Sequence, residues 1–137
     1  MIIKRILIAD DNSSIRRVLR SFLESRTRFK VCGEAVNGLD VIEKAINLNP
    51  DLIVMDFSMP VMNGIEAGAI LNRLLPGIPV ILYTSQDSAL IETHALEVGV
   101  RAVIPKQDMA GLARHLQTLL FPNKKTSLIR GGDYYEP

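Results

Sequence analysis

The chain has 137 residues, 47 % of them apolar and 23 % charged, which suits one compact domain with an ordinary core. A formal net charge of +1 leaves no whole-surface attraction to nucleic acid or to an anionic membrane, and no apolar run is long enough to cross a bilayer. The single cysteine, Cys32, excludes an internal disulfide and suits a reducing cytoplasm, where it reads as a small buried hydrophobe.

In chain order, the first apolar run is Ile6-Leu7-Ile8-Ala9. It is short, branched and without polar alternation, as a strand buried on both faces reads. Asn12 or Ser13 then caps a helix that carries Ile15, Val18, Leu19, Phe22 and Leu23 on one face. A weaker strand follows over residues 29–36. Val41, Ile42, Ala45 and Ile46 mark a second helix that ends before Pro50. Leu52-Ile53-Val54-Met55 is the next buried run, and residues 65–75 form a third helix closed by Pro76-Gly77. Val80-Ile81-Leu82-Tyr83 is followed by a fourth helix over 88–98 that stops at Gly99. Ala102-Val103-Ile104 precedes a fifth helix over 109–121, stopped by Pro122. Five strands alternating with five helices predict an α/β fold, a parallel sheet with right-handed crossovers. The domain spans 1–121. Residues 122–137 are polar, contain Gly131-Gly132 and read as a tail or linker, with Lys124, Lys125 and Arg130 as solvated charges.

Four apolar runs end in a chemically useful residue: Asp10-Asp11, Asp56, Thr84 and Lys106. In an open parallel sheet, ligands bind beyond the carboxyl ends of the strands. With neighbouring strands about 4.8 Å apart, three carboxylates, a hydroxyl and an ammonium would meet at one edge. Two carboxylates about 5 Å apart repel by roughly 3 kcal/mol at an effective dielectric near 20. Crowded carboxylates therefore take up protons or bind a cation, and hard oxygen ligands with room for water favour Mg²⁺. Such an ion would neutralise an incoming phosphoryl group and align it for attack by an aspartate. Each residue also has a plain alternative. Asp11 and Asn12 could cap a helix, Asp56 could open a turn, Thr84 could close a strand, and Lys106 could be an exposed lysine. Their joint occurrence at four strand ends carries the argument.

The same residues resemble the receiver domain of two-component response regulators, over Met1 to about Phe121. Asp10-Asp11 after the first strand is similar to the family's metal-binding pair. Asp56-Phe57-Ser58-Met59-Pro60, with Gly64 following, is similar to its phosphorylated segment. Thr84-Ser85 and Pro105-Lys106 match the switch hydroxyl and the lysine. The resemblance implies a CheY-like, flavodoxin-like (βα)5 doubly wound sheet of order 2-1-3-4-5. It implies Asp56 as phosphoacceptor, with Thr84 and Lys106 assisting, and Mg²⁺ held by Asp10, Asp11, Asp56 and the Ser58 backbone carbonyl. It also implies a sensor histidine kinase or phosphotransfer protein as donor, and a signalling domain that catalyses only its own phosphorylation and dephosphorylation. A homodimer through the face of the fourth helix, fifth strand and fifth helix, or through another receiver face, belongs to the same set of expectations. So does a cytoplasmic location.

Three departures from the usual pattern stand out. Val103 stands where many receivers carry Tyr or Phe, so another side chain must fill the space that a moving Thr84 vacates. Gln107 follows the lysine where many have proline, and Pro105 precedes it. The lysine without a following proline and Gly99-Val100-Arg101 resemble the NarL/LuxR group. Ser58 and Gln86 occupy the positions two beyond Asp56 and Thr84, which tune acyl-phosphate lifetime in the family. His94 and His115 fall on helices without ligand spacing and are expected to bind no metal. The chain stops too soon after the fifth helix to carry a helix-turn-helix domain, so no DNA binding by that route is expected, whether the receiver stands alone or belongs to a longer protein. The small net charge and short apolar runs predict no membrane contact.

Overall fold

The computed structural model describes residues 2–86 and 89–122. The strands are β1 (Lys4–Ala9), β2 (Phe29–Ala35), β3 (Leu52–Asp56), β4 (Val80–Thr84) and β5 (Ala102–Pro105). All pair in parallel, in the order β2-β1-β3-β4-β5. The helices are α1 (Ser13–Glu24), α2 (Gly38–Leu48), α3 (Gly64–Leu74), α4 (Ala89–Glu97) and α5 (Met109–Leu120). The expected fold class and strand order are those observed. The polar tail lies outside the described residues beyond Pro122, as does Ser88, the expected start of the fourth helix.

The apolar runs are continuous because helices cover both faces of the sheet. Side chains alternate along each strand, so one set of residues faces α1 and α5 and the other faces α2, α3 and α4. Ile6, Ile8, Val54, Ile81 and Ile104 pack with Leu19, Leu23, Leu112 and Leu116 on the first side. Leu7, Ile53, Met55 and Leu82 pack with Val41, Ala45, Ala67, Leu71 and Ala95 on the second. Among the described residues, no helix is long and apolar enough to cross a membrane.

The helix starts are fixed by their caps. Of the two residues expected to cap α1, Asn12 does so, accepting the Ile15 N–H at 3.1 Å. Asn63 and Glu66 form a reciprocal capping box on α3, with bonds of 2.9 and 3.0 Å. That box holds the start of α3 directly behind the end of β3. The fit leaves no room for a side chain at Gly64, where a Cβ would lie 2.6 Å from the Asp56 carbonyl oxygen. Cys32 differs from the expectation of full burial. It is half-buried, at the bulge where the β1–β2 register shifts between Ile6 and Leu7, and burial raises its thiol pKa.

Candidate functional site

β1 and β3 are adjacent but reached from opposite sides of the sheet, because the chain runs from β1 out to the β2 edge and returns to β3. The strand ends therefore open into a crevice at this switch point. Asp10 continues the β1–β2 ladder, its N–H donating to the Ala35 carbonyl at 3.0 Å. Asp56 is the last residue of β3 and pairs with Tyr83 on β4. Lys106 extends β5, its N–H donating to the Thr84 carbonyl at 2.9 Å. Three of the four expected strand ends thus bring their charged groups together. The carboxylates of Asp10, Asp11 and Asp56 each offer an oxygen within 4.8 Å of the others. The Lys106 ammonium lies 3.0 Å from Asp10 Oδ2 and 3.3 Å from Asp56 Oδ2.

Burial differs sharply among the three acids. Asp10 is 1 % exposed and Asp56 4 %, whereas Asp11 is exposed. Burial first, and the neighbouring Asp10 charge second, push the Asp56 carboxyl above the usual range, against the pull of Lys106. Burial works against the Lys106 charge, but the hydrogen bond to Asp10 and the Asp56 charge outweigh it and hold its pKa above the ordinary lysine value. Net charge at the cluster is negative: three carboxylates face one ammonium. Such a donor set, all hard oxygen and open to solvent on the Asp11 side, fits a divalent cation of the Mg²⁺ type. Asp10, Asp11 and Asp56 are the side chains that could hold one.

Thr84 sits one residue beyond Tyr83 and so has the opposite facing parity from Asp56 and Lys106. It is 5 % exposed, and its hydroxyl accepts the Gln86 N–H at 3.0 Å. A cavity of about 300 Å³ beside it is lined by Gln86, Glu92, Val103 and Pro105. The small Val103 side chain thus borders open space next to the hydroxyl. Ser58 lies two residues past Asp56, and its Oγ accepts from Gln86 Nε2 at 3.3 Å. This joins the two expected tuning positions directly. All peptide bonds among the described residues are trans, including the one after Lys106. His94 lies on α4; His115 lies on α5, its Nδ1 2.9 Å from the Gly111 carbonyl; neither joins the acidic group.

Several supporting residues carry no signal in the sequence. Arg16 on α1 donates to the Asp10 carbonyl at 2.7 Å and to Glu34 at 2.8 Å. Arg20 donates to the other Glu34 oxygen at 2.8 Å, and this bond, against partial burial, holds Glu34 below the usual carboxylate range. Tyr83 was legible only as part of an apolar run, yet its phenol donates to Asp10 Oδ2 at 2.9 Å. The available clue was chemical: a tyrosine at a buried strand end needs a partner for its O–H. Val61, in the loop after Asp56, holds φ at 71°, a costly conformation for a β-branched residue.

Comparison with known proteins agrees with this architecture. The family model described as "Response regulator receiver domain" matches residues 6–117. Transcriptional regulatory protein LnrK of Bacillus subtilis is 40 % identical over 103 residues, covering 74 % of this chain and 46 % of that protein. A protein-glutamate methylesterase/protein-glutamine glutaminase of Thermotoga maritima is 40 % identical over 104 residues, covering 74 % of this chain and 30 % of that protein. The chain therefore spans less than half the length of either relative. Among solved structures, the response regulator domain of Thermotoga maritima CheB superposes with a TM-score of 0.81 at 32 % identity, covering 88 % of this chain and 98 % of that one. A LuxR-family two-component response regulator from Aurantimonas sp. gives a TM-score of 0.83 at 25 % identity, covering 86 % and 85 %. With the family model spanning most of the chain, this protein belongs to the response regulator receiver family, the signalling domains of two-component systems.

Proposed function

We propose that this receiver accepts a phosphoryl group on Asp56, with Mg²⁺ bound among Asp10, Asp11, Asp56 and the Ser58 backbone carbonyl, and that a histidine kinase phosphohistidine or a phosphotransfer protein is the donor. The observation that carries the reading is the convergence of three carboxylates and Lys106 at the carboxyl edge of the sheet. When bound, the ion supplies charge neutralisation for the phosphoryl oxygens and alignment with the attacking carboxylate.

The residues divide the remaining work. An Asp56 oxygen forms the new bond to phosphorus while the bond from phosphorus to the donor nitrogen breaks, and the nitrogen leaves with that electron pair. The product is an acyl phosphate, which water later cleaves to restore the carboxylate. Lys106 stands 3.3 Å from Asp56 Oδ2 and would follow the new negative charge as a point cation. Thr84 would turn toward the phosphoryl oxygens, giving up the Gln86 N–H and pulling the loop after β4. Because the cavity beside Val103 is already open, the turn needs no aromatic ring to swing aside. The altered surface is the face of α4, β5 and α5, and a homodimer or an output partner would read it. The domain works on itself, so steady turnover of small phosphate esters is not expected. The lone half-buried Cys32 is consistent with a cytoplasmic setting.

The test is a titration with beryllofluoride and Mg²⁺ followed by amide NMR. Shifts should concentrate at the ends of β1, β3, β4 and β5, require both components, and vanish in Asp56→Asn. Retained shifts in Asp56→Asn, or sustained hydrolysis of phosphate esters by the wild type, would overturn the reading.

A further inference from the structure

Tyr83 is a buried polar group to which the proposed chemistry gives no task. It is 4 % exposed, and its ring belongs to the core between the sheet and α1 and α5. Its phenol reaches Asp10 Oδ2 at 2.9 Å across 73 residues of sequence. The same oxygen accepts from Lys106 Nζ at 3.0 Å, and that ammonium lies 5.1 Å from the Tyr83 ring centroid. The other Asp10 oxygen accepts the Asn12 N–H at 2.9 Å, and Arg16 holds the Asp10 carbonyl. Asp10 is thereby fixed from four directions, and Oδ2 has two side-chain donors of different kinds, one charged and one neutral.

The two donors have different fates in phosphoryl transfer. Lys106 has three N–H donors, and two already serve Asp10 and Asp56, so the three oxygens of an incoming phosphoryl group compete with Asp10 for the ammonium. A carboxylate that is 1 % exposed cannot recover a lost donor from water. We propose that Tyr83 is a positioning residue: it keeps Asp10 Oδ2 satisfied and oriented toward the ion when Lys106 shifts to the phosphoryl oxygens. The inference rests on the proposed function and assigns this chain a device outside the motif residues. Burial and the Asp10 charge both hold the phenol in its protonated, donating form.

Tyr83→Phe keeps the ring and removes the donor. In the full chain, calorimetric Mg²⁺ affinity should fall about tenfold, the scale on which outer partners of metal ligands act. Phosphoryl uptake from acetyl phosphate should slow in parallel, while the urea midpoint changes little. The loss should be larger in a Lys106→Ala background, where Tyr83 is the remaining side-chain donor to Oδ2; a mere packing defect would cost the same in both backgrounds. Affinity within twofold of wild type, or equal losses in the two backgrounds, would overturn the proposal. If Tyr83→Phe does not fold, 3-fluorotyrosine labelling reads the contact without substitution. One fluorine resonance should move on Mg²⁺ addition in the wild type and stay fixed in Asp10→Asn, and no Mg²⁺-dependent tyrosine shift would overturn the proposal. A wild-type chain that binds no Mg²⁺ removes the functional reading and this inference together, whereas wild-type binding with an unaltered Tyr83→Phe removes the inference alone.

Discussion

Lys106→Ala is expected to destabilise the Mg²⁺-free chain by about 3 kcal/mol, the usual cost of leaving a buried charge without its partner. The lysine side chain is 19 % exposed and touches two carboxylates at 3.0 and 3.3 Å, while Asp10 and Asp56 have almost no access to water. Removing it leaves two buried anions facing each other, with Asp11 adding a third charge from the surface. Added Mg²⁺ should recover a large share of the loss, because the ion takes over the neutralising role. Urea unfolding of wild type and variant, with EDTA and with saturating Mg²⁺, measures both quantities. A loss below about 1 kcal/mol in EDTA, or no recovery with Mg²⁺, would mean that the ammonium is not what holds the cluster together. The variant should still bind Mg²⁺ and yet fail to signal once phosphorylated, since the cation that follows the phosphoryl group is gone.

Asp11→Ala is expected to act on the ion rather than on the fold. Asp11 is exposed, and replacing it removes a like charge from beside two buried carboxylates, so stability without Mg²⁺ should hold or rise slightly. Mg²⁺ affinity should drop by roughly 10–100-fold, because a site that keeps several waters relies on one or two carboxylates for its charge. Calorimetric titration separates the two effects. Unchanged affinity in Asp11→Ala would place the ion elsewhere. The two variants separate the effects: Lys106→Ala loses stability and keeps the ion, whereas Asp11→Ala keeps stability and binds the ion more weakly.

The sequence made the sheet and its charged edge legible for one physical reason. Strands buried on both faces read as unbroken apolar runs, so the first polar residue after each run marks a strand end. Asp10, Asp56 and Lys106 were found in that way, and the family resemblance supplied the strand order that makes them neighbours. What stayed hidden depends on contacts between distant segments. The Tyr83 phenol meets Asp10 only because β4 lies one strand away from β1 across β3 and both residues face α1 and α5. Arg16 and Glu34 carry no signal in the sequence, because their contact needs α1 to lie over β2. The bulge that leaves Cys32 half-buried, and the left-handed backbone at Val61, have no composition signature. At Val61 the usual guide points the wrong way, since a β-branched residue is the least expected occupant of a positive φ.

The proposed receiver function requires one aspartate side chain to take a phosphoryl group with the help of a divalent ion. Incubation with acetyl phosphate, followed by intact mass and fragment mapping, measures this directly. A gain of one phosphoryl group located on Asp56, present with Mg²⁺ and absent with EDTA, is the predicted result. No gain in the wild type, or a gain that persists in Asp56→Asn, would contradict it.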